Sequence, residues 1–356
     1  MKIKGKFTLL VFHCFFLFSC NEDRKFNFEI DSISTSLEIV EISTLNENLN
    51  LLGEITSFAL IDDSRFVVST VNPSKVFIFN FDGQQVYEIA YSGIGPNEFM
   101  EPSIVRSDGK RVFVWCRTQL KLLIFDLYGK PLDEHVGYKK AVVDFQVKDE
   151  YVFFYITGGF DGPYVSRVEL GEHVSTEDFG FSTESHKLLG IMACSGGMAV
   201  ESGELFFSSL AELGITIVDF DDHESKIVNW NDPEFRTVEL QESAIEIVNN
   251  NRNKMIELLN ESSLVTGVFK IGKHIILKAE VGEYSPEDGK EGISRKRFDK
   301  FYQIDENFEI LKTYKEAKSF ENNNCLYQSY EGNLYFISIH SNEADYEYRL
   351  NRISFK

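Results

Sequence analysis

Residues 65–86 read RFVVSTVNPSKVFIFNFDGQQV, and residues 111–132 read RVFVWCRTQLKLLIFDLYGKPL. The two stretches align without a gap at an offset of 111 − 65 = 46 residues. The aligned pairs that are identical are Arg65/Arg111, Val68/Val114, Lys75/Lys121, Ile78/Ile124, Phe79/Phe125 and Gly83/Gly129. A period in this range indicates a repeat architecture, in which each repeat is one supersecondary unit.

Each copy predicts two β-strands, because apolar and β-branched runs are separated by a short polar link. The predicted strands are Phe66–Thr70 and Val76–Phe79 in the first copy, and Val112–Cys116 and Leu122–Phe125 in the second. A glycine turn follows each pair, and Asp82-Gly83 is the stronger of the two hairpin signals because glycine tolerates positive φ. A third strand begins after the turn, at Gln85–Ala90 in the first copy.

A single sheet of this kind has two apolar faces and two open edges. Stacking such sheets around an axis buries both faces and leaves only short edges. Residues 37–356 amount to 320 residues, which is about 53 per blade for six blades. The sequence therefore predicts an all-β fold, a six-bladed β-propeller with a short helical insertion. The alternating stretch Leu37–Ile42 is predicted to pair with the C-terminal strand near Tyr346–Phe355 and to close the ring.

The loop between the two copies reads YSGIGPNEF over residues 91–99. A Gly-x-Gly-Pro-Gly-Glu-Phe loop, a strand and then an I-x-V-F-D-x-x-G-K run resembles the six-bladed β-propeller lipoproteins of bacteria, which are similar to NHL-repeat propellers. The matching residues are Gly93, Gly95, Pro96, Glu98, Phe99, Ile124, Phe125, Asp126, Gly129 and Lys130. Asn97 replaces a glycine of the pattern, and asparagine is the next best residue for a left-handed conformation. The resemblance implies a fold and a cell-envelope location, and no functional residue carries over.

Residues 1–19 have the pattern of a lipoprotein signal peptide. Three lysines near the start precede the apolar stretch Phe7–Phe18, which is too short to span about 30 Å of hydrocarbon as a helix. Leu17, Ser19 and Cys20 fit a lipoprotein box, whereas Phe18 stands where a small residue is usual. We expect Cys20 to carry lipid, and the alternative is an ordinary signal peptide with a chance cysteine. Residues 20–36 are predicted to be a tether and residues 37–356 the propeller.

Composition limits the partners and the cofactors. The formal net charge is −20, so nucleic acid is not expected as a partner because it attracts basic surfaces. Beyond the leader and Cys20, the remaining cysteines are Cys116, Cys194 and Cys325. No two of them form a CxxC pair, and each lies in or beside an apolar stretch, so we interpret them as small buried residues.

Two insertions interrupt the later blades. Residues 232–260 are predicted to be the only helical stretch, with Asp232 as N-cap and Pro233 in the first turn. Its predicted apolar face consists of Ile245, Val248, Met255, Ile256 and Leu259. This helix is interpreted either as a lid over the central channel or as a decoration packed on the rim. A polar loop at residues 282–297 holds the basic cluster Lys290, Arg295, Lys296 and Arg297, which either binds an anion or is solvated.

The sequence contains no catalytic motif. The histidines beyond the leader are His135, His173, His186, His223, His274 and His340, and they form neither HExxH nor H-x-H. The acidic group around Asp219–Glu224 could suggest a metal, but it falls where blade four needs a hairpin turn. Ser195 lacks the glycine spacing of a nucleophile elbow. Cofactors therefore remain unknown, with a divalent metal in the central channel as the one possibility.

Asn97 and Glu98 are the ligand-binding candidates, because loops on a rigid scaffold commonly carry binding sites. The alternative for Glu98 is a structural role, in which it accepts hydrogen bonds from its own loop. The favoured function is a membrane-anchored propeller of the bacterial cell envelope, on the periplasmic side or the cell surface. It would bind a glycan, a peptide or an envelope protein through the face that carries this loop. The alternative is a hydrolase or lyase with a carboxylate or metal site in the channel.

Overall fold

The computed structural model describes residues 24–29, 34–35, 37–45, 53–138, 141–157, 161–171, 175–192, 196–201, 203–220, 224–240, 242–283, 296–317, 326–341 and 346–355. The described residues form six sheets, arranged as the blades of a propeller, each with four antiparallel strands. Two of the sheets carry a fifth strand, which pairs in parallel at the outer edge. The all-β prediction with six blades is therefore confirmed.

The strands of the first three blades follow the chain in order. Blade one is β4 (Glu54–Leu60), β5 (Arg65–Val71), β6 (Lys75–Asn80) and β7 (Gln85–Ile89). Blade two is β8 (Pro102–Ser107), β9 (Arg111–Cys116), β10 (Lys121–Asp126) and β11 (Pro131–Val136). Blade three is β12 (Val142–Lys148), β13 (Tyr151–Ile156), β14 (Val165–Glu169) and β15 (Thr176–Phe179).

The last three blades use the rest of the chain. Blade four is β16 (Met198–Glu201), β17 (Glu204–Phe207), β18 (Gly214–Asp219) and β19 (Ser225–Asn231). Blade five is β20 (Leu264–Ile271), β21 (His274–Glu283), β22 (Lys296–Ile304) and β23 (Ile310–Ala317). Blade six is β24 (Tyr327–Tyr330), β25 (Asn333–Ser341), β26 (Tyr346–Ser354) and the N-terminal β3 (Glu38–Leu45).

The N-terminal segment covers the outer edges of three neighbouring blades. Strand β1 (Arg24–Glu29) pairs in parallel with β19 of blade four, and β2 (Ser34–Thr35) pairs in parallel with β23 of blade five. Strand β3 then becomes the outer strand of blade six. We call β1, β2 and β3 together the strap. The structure therefore places part of the segment predicted as a tether, residues 20–36, on the ring itself.

The ring is closed by strands from the two ends of the chain. Strand β3 pairs antiparallel with β26, and its register joins Glu38 to Ser354 and Leu45 to Tyr348. The predicted pairing of Leu37–Ile42 with the C-terminal strand is therefore confirmed. The inner strands contact one another in the order β4, β8, β12, β16, β20, β24 and back to β4. Closure removes the open edges that a linear stack of blades would leave.

The core lies between the blades, because the middle strands are buried on both faces. The interface of blades one and two is filled by β-branched and aromatic side chains such as Val67, Ile78, Val114 and Phe125. Cys116 belongs to the same cluster, and burial raises the pKa of its thiol to about 12. Cys116 is thus the small buried residue that the sequence predicts, whereas Cys194 and Cys325 lie outside the described residues.

Two features of the helices differ from the prediction. Helix α1 (Glu184–Met192) was not predicted, and the insertion forms two helices, α2 (Ala244–Asn250) and α3 (Arg252–Glu261), instead of one from Asp232. Asn251 separates them with a non-helical backbone at φ −144° and ψ 70°. The break shifts the helical phase, so Ile245 and Ile256 are exposed at 50% and 42% although both were assigned to the apolar face.

Asp232 is not an N-cap, because the residues that follow it are not helical. Its Oδ1 atom accepts from the backbone N–H of Glu234 at 2.9 Å, and its Oδ2 atom is bound by blade five. The Oδ2 atom accepts hydrogen bonds from Lys300 Nζ at 2.6 Å and from Tyr302 Oη at 2.7 Å. Ser243 is the residue at the N-terminus of α2. Asp232 therefore joins the segment after blade four to blade five.

Candidate functional site

The strand order gives the ring two distinct ends. Each inner strand begins where the connection from the preceding blade arrives, and we call this side the entry end. Each inner strand finishes at the turn into the second strand of its blade, and we call that side the turn end. The loop Gly93–Phe99 precedes β8, and helices α1, α2 and α3 precede β16 and β20. All of these belong to the entry end.

A cavity of about 960 Å³ opens at the turn end. Its wall consists of residues of the inner strands and of the turns that follow them, and all six blades contribute. Representative lining residues are Ile61, Ser107, Gln146, Val200, Lys270 and Ser329. The volume lies at the upper end of the range of about 300–1,000 Å³ found for ligand pockets. The cavity mouth is therefore at the opposite end of the inner strands from the loop that the sequence analysis singled out.

Some of the charged side chains at the mouth form ion pairs or hydrogen bonds with their neighbours. Arg111 Nε lies 2.8 Å from Asp108 Oδ2, and Arg111 Nη1 lies 3.7 Å from Glu150 Oε2. Lys270 donates to the backbone carbonyl of Lys273 at 3.3 Å. Because both ion pairs of Arg111 are partly exposed, each contributes little to stability.

Uncharged hydrogen-bonding groups line the wall beside these charges. Gln146, Gln328, Ser329 and Tyr330 come from the inner strands of blades three and six, and all four are half-buried. The Oε1 atom of Gln328 is buried and has no hydrogen-bond partner within the described part of the chain. A buried acceptor without a donor costs free energy. The wall therefore carries neutral hydrogen-bonding groups whose pairing is incomplete among the described residues.

The inner strands of three blades are tied together by Arg106, which is 2% exposed. Its Nε atom donates to Phe145 O at 3.0 Å in blade three, and its Nη1 atom donates to Phe58 O at 3.1 Å in blade one. Its Nη2 atom donates to Asp144, which lines the cavity. Burial raises the pKa of Asp144, while the charge of Arg106 and the backbone N–H of Phe145 oppose that rise. The buried ion pair with Arg106 thus gives the Asp144 carboxylate a structural role.

The loop Gly93–Phe99 forms hydrogen bonds within itself and with side chains of blade two. Glu98 Oε2 accepts from the backbone N–H of Gly95 at 2.8 Å, so Glu98 makes the internal bond that its structural role predicts. Asn97 has a φ of 57°, the left-handed conformation expected from its place in the pattern. Its N–H donates to Glu134, and Lys121 Nζ donates to Gly95 O at 3.1 Å. Asn97 and Glu98 therefore lie together, away from the cavity.

The helices form a cap on the entry end of blades four and five. Leu188 packs among Ala244, Ile247 and Met255, which joins α1 to α2 and α3. Leu189 packs against the entry-end residues Leu210 and Leu264. The helical insertion is thus packed on the rim, and it does not cover the mouth of the cavity at the turn end.

His186 fixes the cap to the ring. It lies on α1 at 1% exposure, and its Nδ1 atom accepts from the backbone N–H of Leu210 at 3.1 Å. The ring packs edge-on against Tyr164 with a centroid distance of 4.5 Å. Burial lowers the pKa of His186 to about 4, so the imidazole is neutral at pH 7.

Other predicted site residues lie partly outside the described residues. Cys20, Ser195, Asp221–His223 and most of the basic loop, including Lys290 and Arg295, belong to that group. Arg297 is described, and it forms an ion pair with Glu280 and donates to Leu259 O at 2.9 Å. Among the described residues, no three His, Cys, Asp or Glu side chains are grouped to hold a metal ion. The described helices include none that is long and apolar enough to cross a membrane.

The cavity is not visible in the sequence, because its lining is spread over all six blades. A pattern search detects residues close together along the chain, whereas the lining runs from Leu60 to Gly332. The one feature of the sequence that could have indicated the cavity is the first turn of each blade, such as Ser107–Arg111 in blade two. Polar residues in those turns also have the ordinary explanation of a solvated hairpin.

Comparisons with known proteins agree with the fold. The sequence profile of a family described as "6-bladed beta-propeller" matches residues 17–180. No curated protein is significantly similar to the chain in sequence. A candidate exported protein of Bacteroides fragilis is 14% identical, with a TM-score of 0.61 over 94% of this chain and 100% of that one. A member of the duf4221 family from Bacteroides vulgatus is 11% identical, with a TM-score of 0.59 over 91% of this chain and 98% of that one.

These similarities concern the fold, since both solved structures share few identical residues with this chain. The family match begins at residue 17 and ends after blade three, and the sheets of the described residues extend the same architecture to the C-terminus. The resemblance inferred from the loop at residues 93–99 is therefore correct for the fold. The chain is a six-bladed β-propeller.

Proposed function

We propose that this chain is an exported, lipid-anchored binding protein that takes a polar ligand into the cavity at the turn end. The cavity of about 960 Å³ is the observation that carries the proposal. It combines a scaffold closed by strand pairing with a wall made from turns, and such loops on a rigid frame are where binding residues concentrate. The similarity to a candidate exported protein of Bacteroides fragilis supports a location outside the cytoplasm.

The chemistry of the wall favours a glycan. Side-chain amides at Gln146 and Gln328 and the hydroxyls of Ser329 and Tyr330 can each exchange hydrogen bonds with sugar hydroxyls, which are donors and acceptors at once. The half-buried ring of Tyr330 offers an apolar surface for a sugar face. A peptide with free backbone N–H groups is the competing ligand, and an envelope protein would have to insert a loop of that kind.

The binding test is a glycan and peptide array probed with the wild-type protein. The hit is then measured against Gln328→Ala, which removes the unpartnered acceptor. We expect its affinity to fall by about 0.5–1.5 kcal/mol, the usual contribution of a neutral hydrogen bond. Glu98→Gln, at the entry end, is the control and should bind as the wild type does. Loss of affinity in the control alone would move the site to the loop.

The anchor is tested separately. The box Leu17–Cys20 and the three lysines before it motivate lipidation at Cys20. We expect Cys20→Ala to move the protein from the membrane fraction to the soluble fraction of the envelope, because lipid chains supply the membrane affinity at about 0.8 kcal/mol per buried CH₂. Unchanged membrane partition of this variant would contradict the anchor.

A further inference from the structure

The strap approaches the ring in a defined direction. Strand β1 is parallel to β19. It therefore starts on the same side of the ring as β19, next to the connection that precedes β19, and runs in the same direction. The connection between β18 and β19 lies at the turn end, like every connection between the third and fourth strands of a blade. The chain therefore arrives at blade four from the turn end and leaves toward the entry end.

The strand register shows where the strap begins relative to the cavity. One row across blade four reads Arg24, Lys226, Ile217, Phe206 and Ala199. Ala199 lines the cavity, and Arg24 is the first residue of the strap. Four spacings of about 4.8 Å separate them, so Arg24 is about 19 Å from the cavity wall.

Covalent geometry limits how far the anchor can be from this point. Cys20 precedes Arg24 by four residues, and four residues span at most about 14 Å. An inner strand of six residues, such as β8, is about 20 Å long at 3.3 Å per residue. The greatest distance between Cys20 and Arg24 is thus shorter than the height of the ring. This distance is measured from Arg24, which lies at the outer edge of blade four.

We infer that a lipid on Cys20 holds the propeller with its turn end toward the membrane, so that the cavity mouth faces the bilayer and the helical cap faces away. This inference rests on the proposed lipid anchor. The ligands that reach the cavity are then those carried by the membrane or moving along its surface. The strap sets this orientation because pairing of β1 with β19 leaves only residues 20–23 as a spacer.

The test measures the distance of each end of the ring from a bilayer. Purified protein beginning at Cys20 receives a synthetic lipid through chemistry specific for an N-terminal cysteine, and it is then bound to phosphatidylcholine vesicles that contain an acceptor dye on the lipid headgroup. A donor dye is placed at the turn end through Lys148→azidophenylalanine or Lys273→azidophenylalanine. It is placed on the cap through Glu246→azidophenylalanine or Asn253→azidophenylalanine. All four positions are exposed.

We expect higher energy transfer from both turn-end dyes than from both cap dyes. A flexible Gly/Ser insert of about 20 residues before Arg24 adds a root-mean-square length of about 25 Å and should abolish the difference. Equal transfer from the two ends, or higher transfer from the cap, would overturn the inference. A difference that survives the insert would also overturn it, because the surface and not the strap would then set the orientation.

The synthetic lipid keeps this result independent of whether cells lipidate the protein. A negative result of the partition test with Cys20→Ala would remove the anchor from the proposed function. A negative result here would remove only the orientation.

Discussion

Blades one to three and blades four to six differ in where their strands come from in the sequence. In the first half, each blade takes its four strands from one continuous stretch of sequence, and among the described residues no further strand covers the outer edges. In the second half, the strap adds a strand to blade four and to blade five and completes blade six. The first half is therefore specified by local sequence, and the second depends on pairing between residues far apart in the chain.

The two halves also differ in what joins neighbouring blades. Arg106 joins the inner strands of blades one, two and three through backbone carbonyls and Asp144. On the other side, the helical cap packs on blades four and five, and Asp232 joins the segment after blade four to Lys300 of blade five. Repeat-like blades thus need few added contacts, whereas irregular blades carry additional elements.

Deletion of β3 should have the largest effect on stability. Removing residues 24–45 deletes the outer strand of blade six and opens the ring, with Leu45 among the fully buried side chains lost. Truncation of one buried leucine costs about 2–5 kcal/mol, and this deletion removes more than that. Chemical denaturation should show a loss of the cooperative transition.

Deletion of residues 24–35 is the matched control, because it removes β1 and β2 and keeps β3. We expect the ring to stay folded, with faster hydrogen exchange confined to β19 and β23. Equal stability of the two truncated proteins would contradict closure by β3.

The next effect in size is expected at Arg106. Arg106→Met leaves Asp144 buried without its charge partner, and breaking a buried pair in this way costs about 3–5 kcal/mol. The control is Arg65→Met, whose pair with Asp62 is about one third exposed and should contribute at most about 1 kcal/mol. Urea denaturation measures both. Similar losses for the two variants would show that Arg106 does not act as a joint between blades.

His186 gives the second half a pH dependence. Its folded pKa of about 4 lies below the usual 6.5, so the unfolded chain takes up the proton first as the pH falls. The stability contributed by the neutral imidazole is complete above pH 6.5 and is lost as the pH falls toward 4. The difference amounts to about 3 kcal/mol.

The variant His186→Asn keeps an acceptor for the N–H of Leu210 and cannot bind the proton. We expect the free energy of unfolding to fall less between pH 7 and pH 4 in this variant than in the wild type. Identical pH profiles would show that His186 does not contribute.

The smallest effect is expected in the loop of the first half. Glu98→Gln replaces a charged hydrogen bond to the N–H of Gly95 by a neutral one, which should lower stability by about 1 kcal/mol. Thermal melting measures this change. An unchanged melting temperature with weaker ligand binding would favour Glu98 as a ligand contact over a structural residue.

The sequence predicts the first half of the fold far better than the second. Strands β5, β6, β9 and β10 match the predicted runs within one residue at each end, because their apolar pattern and glycine turns are local signals. Helix α1 was missed because its nine residues make few sequence signals beyond Glu184 in the first turn. Strands β1 and β2 were missed because a parallel edge strand is chosen by its partner and not by its own pattern.

The candidate site was less predictable than the fold. The structural alternative for Glu98 could be stated from its glycine neighbours alone, and the bond to Gly95 agrees with it. The cavity residues Gln146 and Gln328 are 182 positions apart in the sequence (328 − 146), and only ring closure brings them to one wall. Convergence of that kind follows from topology, which no short motif encodes.

If the ligand binds in the turn-end cavity, side chains that fill the cavity should abolish binding. Gln146→Trp and Ser329→Trp each place a large side chain in the wall, and the affinity for the array hit is measured by calorimetry beside that of Glu98→Gln. Melting curves confirm that each variant is folded. We expect both tryptophan variants to lose binding while Glu98→Gln retains it. Full binding by both folded tryptophan variants would contradict it.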